Sequence, residues 1–154
     1  MYKNDLDEIF NEYFERKKIE EEVSEAKKLE EQEKNKLIIE KLKDIVIPVL
    51  EAISKEIEKK GYKTSVLKRL ENFAYPGVEL KFLPIPKQEE NSIHLSDSSI
   101  SFICTNDGIR IEKEICLKNT RPDKSSSGAS IEELTKNWVK TKVIEFIKEV
   151  LKST

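Results

Sequence analysis

The spacing of apolar residues changes twice along this chain, and this constrains the fold more than any other feature. Apolar residues follow a helical period over residues 37–60, and Gly61 comes next as a suitable left-handed helix cap. Over residues 62–117 they alternate at every second position, which is typical of half-buried strands. The helical period returns over residues 130–151, behind a capping-box pattern at residues 130–133. Helices at both ends of a run of consecutive strands predict an α+β fold.

The expected domain is a three- or four-stranded antiparallel sheet, with the helix from about Leu37 and the C-terminal helix packed on one face. Asn106, Asp107 and Gly108 predict a hairpin turn between its last two strands. The polar residues of the strands should then face water on the other side of the sheet. Residues 118–128 are polar and rich in serine, and they are predicted to form a loop. Pro48 should kink or break the first helix of the domain near Asp44.

The first third of the chain is too charged to form a core. Of the twenty-two residues from Glu15 to Lys36, fifteen are charged, whereas charged residues make up 38% of the whole chain. Glu30 with Lys34 is one of several pairs that support a solvated helix. An extended lone helix, a coiled coil and a disordered segment are all compatible with this pattern. We therefore divide the chain into a charged helical arm, residues 1–35, and an α+β domain, residues 36–154.

The arm begins with an amphipathic segment that it cannot bury locally. Leu6, Ile9, Phe10, Tyr13 and Phe14 recur at three- and four-residue spacing and predict a short helix with one apolar face. Such a face is suited to the groove of a partner or to a second copy of the chain. We expect these five residues to mediate either self-association as a homodimer or docking on a protein partner.

Composition argues against several other classes of function. The net charge is −2 with acids and bases interspersed, which makes nucleic-acid binding unlikely. No apolar run approaches the roughly 18 to 20 residues of a membrane span, and the N-terminus lacks the pattern of a signal peptide. Cys104 and Cys116 should lie on opposite sheet faces, which forbids a disulfide. The expected location is therefore the cytoplasm.

Catalytic, metal and cofactor sites are not indicated. His94 is the only histidine, and no positioned partner for a general base can be identified. Cys116 lies between Glu114 and Lys118, whose effects on a thiolate should largely cancel. We therefore expect a non-enzymatic protein with no cofactor.

The alternative hypothesis is a small-molecule or anion-binding protein that uses the loop 118–128. Lys118, Arg121 and Lys124 precede a predicted helix N-terminus, where backbone amides favour anions. The loop lacks the glycine spacing of a P-loop or a dinucleotide fingerprint.

Two segments resemble short bacterial proteins of unknown function. They are LKDIVIPVLEAISKEIEKKG at residues 42–61 and SIEELTKNWVKTKVIEFIKEVL at residues 130–151. In that group a proline-containing helix, an antiparallel sheet and a helix led by leucine and threonine recur. The resemblance covers about the last two thirds of the chain. It implies the fold of the domain and no activity, and it leaves the arm outside.

Overall fold

The structure is a computed structural model of the chain. It describes residues 2–71, 75–86, 96–106, 108–116 and 121–152. Its elements are α1 (Tyr2–Lys41), a π-helical turn (Leu42–Val46), α2 (Ile47–Lys59), β1 (Tyr62–Arg69), β2 (Gly77–Pro86), β3 (Ser98–Cys104), β4 (Ile109–Ile115), β5 (Asp123–Ala129), a 3-10 turn (Ile131–Glu133) and α3 (Lys136–Lys152). The predicted α+β class is confirmed.

The chain divides into two compact units, Met1–Lys36 and Leu37–Thr154. The first consists of helix alone, and none of its described side chains is buried. The second holds the end of α1 and every other element, including the buried core.

The π-helical turn lies directly before Pro48 and is explained by it. Proline has no backbone N–H, so the carbonyl of Asp44 loses its usual helical donor. The helix widens instead, and the N–H of Ile47 donates to the carbonyl of Leu42, five residues back. The expected disturbance near Asp44 is thus a π-helical turn, and the chain continues without a break into α2. Leu42 and Val46 are fully buried on the core side of this turn.

The sheet has the strand order β1-β2-β3-β4-β5, and each strand pairs antiparallel with the next. In the predicted hairpin, the N–H of Thr105 donates to the carbonyl of Gly108 at 2.8 Å. Phe102 lies opposite Ile111 in the register. Because opposed residues point to the same face, the apolar rows of β3 and β4 share one side, as predicted.

The core lies between this apolar face and the helices. Its largest fully buried side chains include Phe82 and Phe102 from the sheet and Phe146 from α3. The Trp138 ring meets the Phe102 ring edge-on, with centroids 6.2 Å apart. The helix of residues 47–59 ends as predicted, with Gly61 at a φ of 90°. Both helical stripes therefore contribute to a single core.

The sheet has one strand more than predicted. Residues 123–129 form β5, which pairs along its length with β4, so the prediction of a loop through Gly128 is wrong over these residues. All but one of its side chains are exposed. The strand is held by its backbone pairing with β4. Its sequence has no alternation of apolar residues that would have predicted a strand.

The predicted cap of the last helix is also wrong. Ser130 makes no side-chain capping bond and precedes only the 3-10 turn. Thr135 caps α3, because its Oγ1 accepts a hydrogen bond from the N–H of Trp138 at 3.2 Å. The helix therefore begins at Lys136, and Ile131 and Leu134 pack from outside it.

Candidate functional site

The N-terminal apolar segment, residues 2–14, lies entirely within α1. Its predicted helical conformation is confirmed, although the helix continues well beyond Phe14. At 100° per residue the predicted side chains occupy one face of the helix, together with Tyr2. That face is open: the exposed fraction is 53% for Phe10, 43% for Tyr13 and 61% for Phe14. Leu6 and Ile9 are exposed as well.

The aromatic rings of this segment contact one another. The Phe10 and Phe14 rings stack with centroids 6.2 Å apart, and the Tyr13 ring lies 5.8 Å from that of Phe14. The Lys17 ammonium sits over the Tyr13 ring, 5.6 Å from its centroid. These contacts order the rings into one surface but leave it in water.

The apolar face does not continue along the arm. Ile19 and Leu29 lie about 120° and 160° around the helix axis from Tyr13. Between them the residues are mostly charged and exposed. The N-terminal apolar segment is therefore a discrete surface and not the start of a uniform seam.

The segment also carries a distinct charge. Asp5, Asp7, Glu8 and Glu12 oppose Lys3 alone, which gives residues 2–14 a net charge of −3. By helical geometry, Asp5 and Asp7 border the apolar face on its two sides, and Lys3 lies within it.

The opposite face of the sheet from the core is polar, as expected. A shallow hollow of about 440 Å³ is lined by Glu79, Glu112, Glu114 and neighbouring serines and lysines of β3, β4 and β5. Ser101 Oγ donates to Glu79 Oε2 at 3.0 Å. Arg110 forms an ion pair with Glu112 at 3.0 Å. Carboxylates therefore dominate this hollow, and they disfavour an anionic ligand.

Two of the three anion-loop candidates lie among the described residues. Lys118 lies outside the described residues. Arg121 is exposed just before β5, and Lys124 is exposed within that strand, opposite Glu114 in the register. The 3-10 turn separates β5 from α3, so this segment does not lead directly into the helix N-terminus.

The two thiols are buried on different faces of the sheet. Cys104 belongs to the core, whereas Cys116 lies beyond β4 with its Sγ donating to the Asp97 carbonyl at 3.2 Å. Cys116 is buried, although it lies on the sheet face whose polar residues are predicted to face water. Burial, followed by the charges of Glu114 and Asp97, raises the pKa of the Cys116 thiol, and burial raises the pKa of Cys104. Both effects disfavour the reactive thiolate.

Metal ligation is not indicated in the part of the chain that the structure describes. His94 falls outside that part. Within it, no group of three or more histidine, cysteine or acidic side chains is placed to hold a metal ion. None of the described helices is both long and apolar enough to span a membrane.

An apolar groove between α2 and α3 was not foreseen from the sequence. It has a volume of about 870 Å³, and Ala52 and Ile53 line it from α2 while Ile144 and Ile147 line it from α3. Leu151, which the apolar stripe of α3 predicts to be buried, is exposed at one end of it. The apolar stripe of α3 is wider than the surface that the core covers. The width of this stripe is the sequence signal that could have indicated the groove.

The fold is thus that of an α+β protein with a five-stranded antiparallel meander covered on one face by two helices. Comparison of the chain with protein-family models, curated proteins and solved structures found no match. The resemblance to short bacterial proteins of unknown function stays a prediction.

Proposed function

We propose that this chain is a non-enzymatic protein-interaction module whose N-terminal helix mediates self-association or docking on a partner. The observation that carries the proposal is the exposed face formed by Leu6, Ile9, Phe10, Tyr13 and Phe14. Contiguous exposed apolar surface bordered by polar residues is characteristic of interaction sites.

The residue types support the same proposal. Aromatic side chains are enriched among the residues that dominate binding energy at protein interfaces. An amphipathic helix presents such residues at three- and four-residue spacing to an apolar groove. The segment has four aromatic residues in thirteen positions, and the spacing places them on one face.

Light scattering on the full chain tests self-association. We expect a mass that rises with concentration above that of one chain. Phe10→Glu with Phe14→Glu should weaken the association at least about 30-fold, since the loss of even one hot-spot residue costs about 2 kcal/mol or more. Asn4→Glu with Asn11→Glu adds the same charge on another side of the helix. This control variant should retain most of the self-association.

Docking on a different protein is tested by affinity purification of the full chain from its native cells. Recovery of a defined partner should fall with the two phenylalanine substitutions and persist with the two asparagine substitutions. Monomers at every concentration, together with identical recovery for both variants, would contradict the proposed function.

The charges around the polar hollow give the anion-binding alternative no support. The residues around the polar hollow include three glutamates against Lys113 and Lys124, and the Lys113 ammonium is bound to Glu149 at 3.1 Å.

The proposal also places the chain in the cytoplasm. Cys104 and Cys116 are thiols buried on opposite faces of the sheet. Thiols of this kind are compatible with a reducing compartment.

A further inference from the structure

The groove between α2 and α3 is apolar at its centre and basic at its rim. Ala52 and Ile144 are exposed within it, and Ile53 and Ile147 are half-buried at its floor. Lys60, Lys136 and Lys140 line its border against one acid, Glu56, so that the lining has a net charge of +2.

The N-terminal apolar segment has complementary charge. Its net charge is −3, and Asp5 and Asp7 lie along the two edges of the apolar face. Desolvated apolar surface at the centre with opposite charges at the rim is the arrangement that fixes partner and register at an interface. The polar face of the sheet offers no such match, because three glutamates line its hollow.

The lengths of the two surfaces also agree. At 1.5 Å per residue, the span from Tyr2 to Phe14 is about 18 Å. The groove follows α2 from Pro48 to Lys60, the residue just beyond the end of the helix, which is also about 18 Å, and it follows α3 over a slightly longer distance. One helix of residues 2–14 would therefore fill the groove from end to end.

We propose that the groove between α2 and α3 of one copy receives the N-terminal apolar segment of a second copy. The segment then forms a third helix beside α2 and α3, with its aromatic face over Ala52 and Ile144. Reciprocal exchange between two copies closes the assembly as a two-fold dimer. This inference rests on the proposed function and identifies the surface that the segment recognises.

Mixing two complementary variants of the full chain provides the test. Ala52→Glu with Ile144→Glu places two charges in the groove at exposed positions, while the segment stays intact. Phe10→Glu with Phe14→Glu disables the segment and leaves the groove intact. We expect each variant alone to sediment as a monomer, and an equimolar mixture to form a heterodimer through its one intact contact.

Lys55→Gln with Lys148→Gln is the matched control for the groove. Both lysines are exposed on α2 and α3 outside the groove, and the pair changes the net charge by the same amount as the groove variant. This control should dimerise within about threefold of the wild type. Circular dichroism must show unchanged helicity in every variant.

Three outcomes would overturn the inference. If the groove variant dimerises as the wild type does while the segment variant does not, the segment binds elsewhere, and the proposed function survives without the groove. A mixture that remains monomeric excludes the complementary contact. A monomeric wild type excludes a second copy as the occupant, and the affinity purification above then decides the proposed function separately.

Discussion

The two units of this protein use the same kind of helical apolar stripe with opposite results. In α3, Phe146 is fully buried against the sheet, whereas Phe10 in α1 is 53% exposed. Both residues belong to stripes with three- and four-residue spacing. The difference lies in what surrounds the stripe: the domain provides a sheet to cover it, and the unit of residues 1–36 contains only helix. An apolar stripe therefore indicates a surface that needs a partner, and only the fold determines whether that partner is internal.

The largest expected difference between the units is in stability. Phe146→Ala removes a fully buried ring and should lower the free energy of unfolding by about 3 to 5 kcal/mol. Phe10→Ala should change it by no more than about 0.5 kcal/mol in dilute protein, because the ring lies at the surface. Urea denaturation followed by the fluorescence of Trp138, the only tryptophan, measures both. Equal losses of unfolding free energy in the two variants would contradict the expected difference between the two units.

The second expected difference is between two glycine substitutions that test whether the exposed strand β5 belongs to the folded domain. A Cβ added at Gly108 would collide with the backbone carbonyl oxygen of Ala129, whereas one added at Gly128 would meet nothing. Gly108→Ala should therefore cost about 1 to 3 kcal/mol. Gly128→Ala should stay within about 0.5 kcal/mol. If thermal unfolding shows the same stability for both variants, β5 is not paired as described.

The smallest expected effect concerns pH and should be confined to the domain. The pKa of Cys116 is raised on folding, mainly by burial. Its contribution is fully present below the pKa of an unfolded thiol, about 8.5, and is lost as pH rises through the higher folded value. Unfolding free energy should fall with pH in this range, by less than about 1.4 kcal/mol per pH unit from this group.

In Cys116→Ala, the free energy of unfolding should fall less steeply as pH rises. Phe10→Ala should leave this dependence on pH unchanged, because the phenylalanine side chain carries no titratable group. Denaturation at pH 8, 9 and 10 provides the comparison. An unchanged slope in Cys116→Ala would show that burial of this thiol does not contribute.

The parts of the fold that follow side-chain periodicity could be predicted from the sequence, and the parts that follow backbone pairing could not. The alternation in β2, β3 and β4 and the hairpin between β3 and β4 identified the centre of the sheet. The strand β5 was missed because its serines alternate with nothing apolar and its stability comes from pairing with β4. The start of α3 was missed because Ser130 and Thr135 are both suitable capping residues, and the capping hydrogen bond is made by Thr135.

The candidate site shows the same division. The apolar face of residues 2–14 depends only on helical spacing, so the sequence was sufficient to find it. The groove between α2 and α3 depends on the separation of two helices that lie far apart in the chain. No local pattern encodes that distance, although the exposed Ile144 and Leu151 mark the part of the stripe that the core leaves uncovered.

Sedimentation equilibrium of the full chain tests most directly whether the N-terminal apolar segment is an interaction surface that acts between copies. For the wild type, we expect a monomer–dimer equilibrium. For Phe10→Glu with Phe14→Glu, we expect a single-chain mass over the same concentrations, with unchanged fluorescence of Trp138. A dimer that persists in this variant with undiminished affinity would show that the N-terminal apolar segment is not the interaction surface.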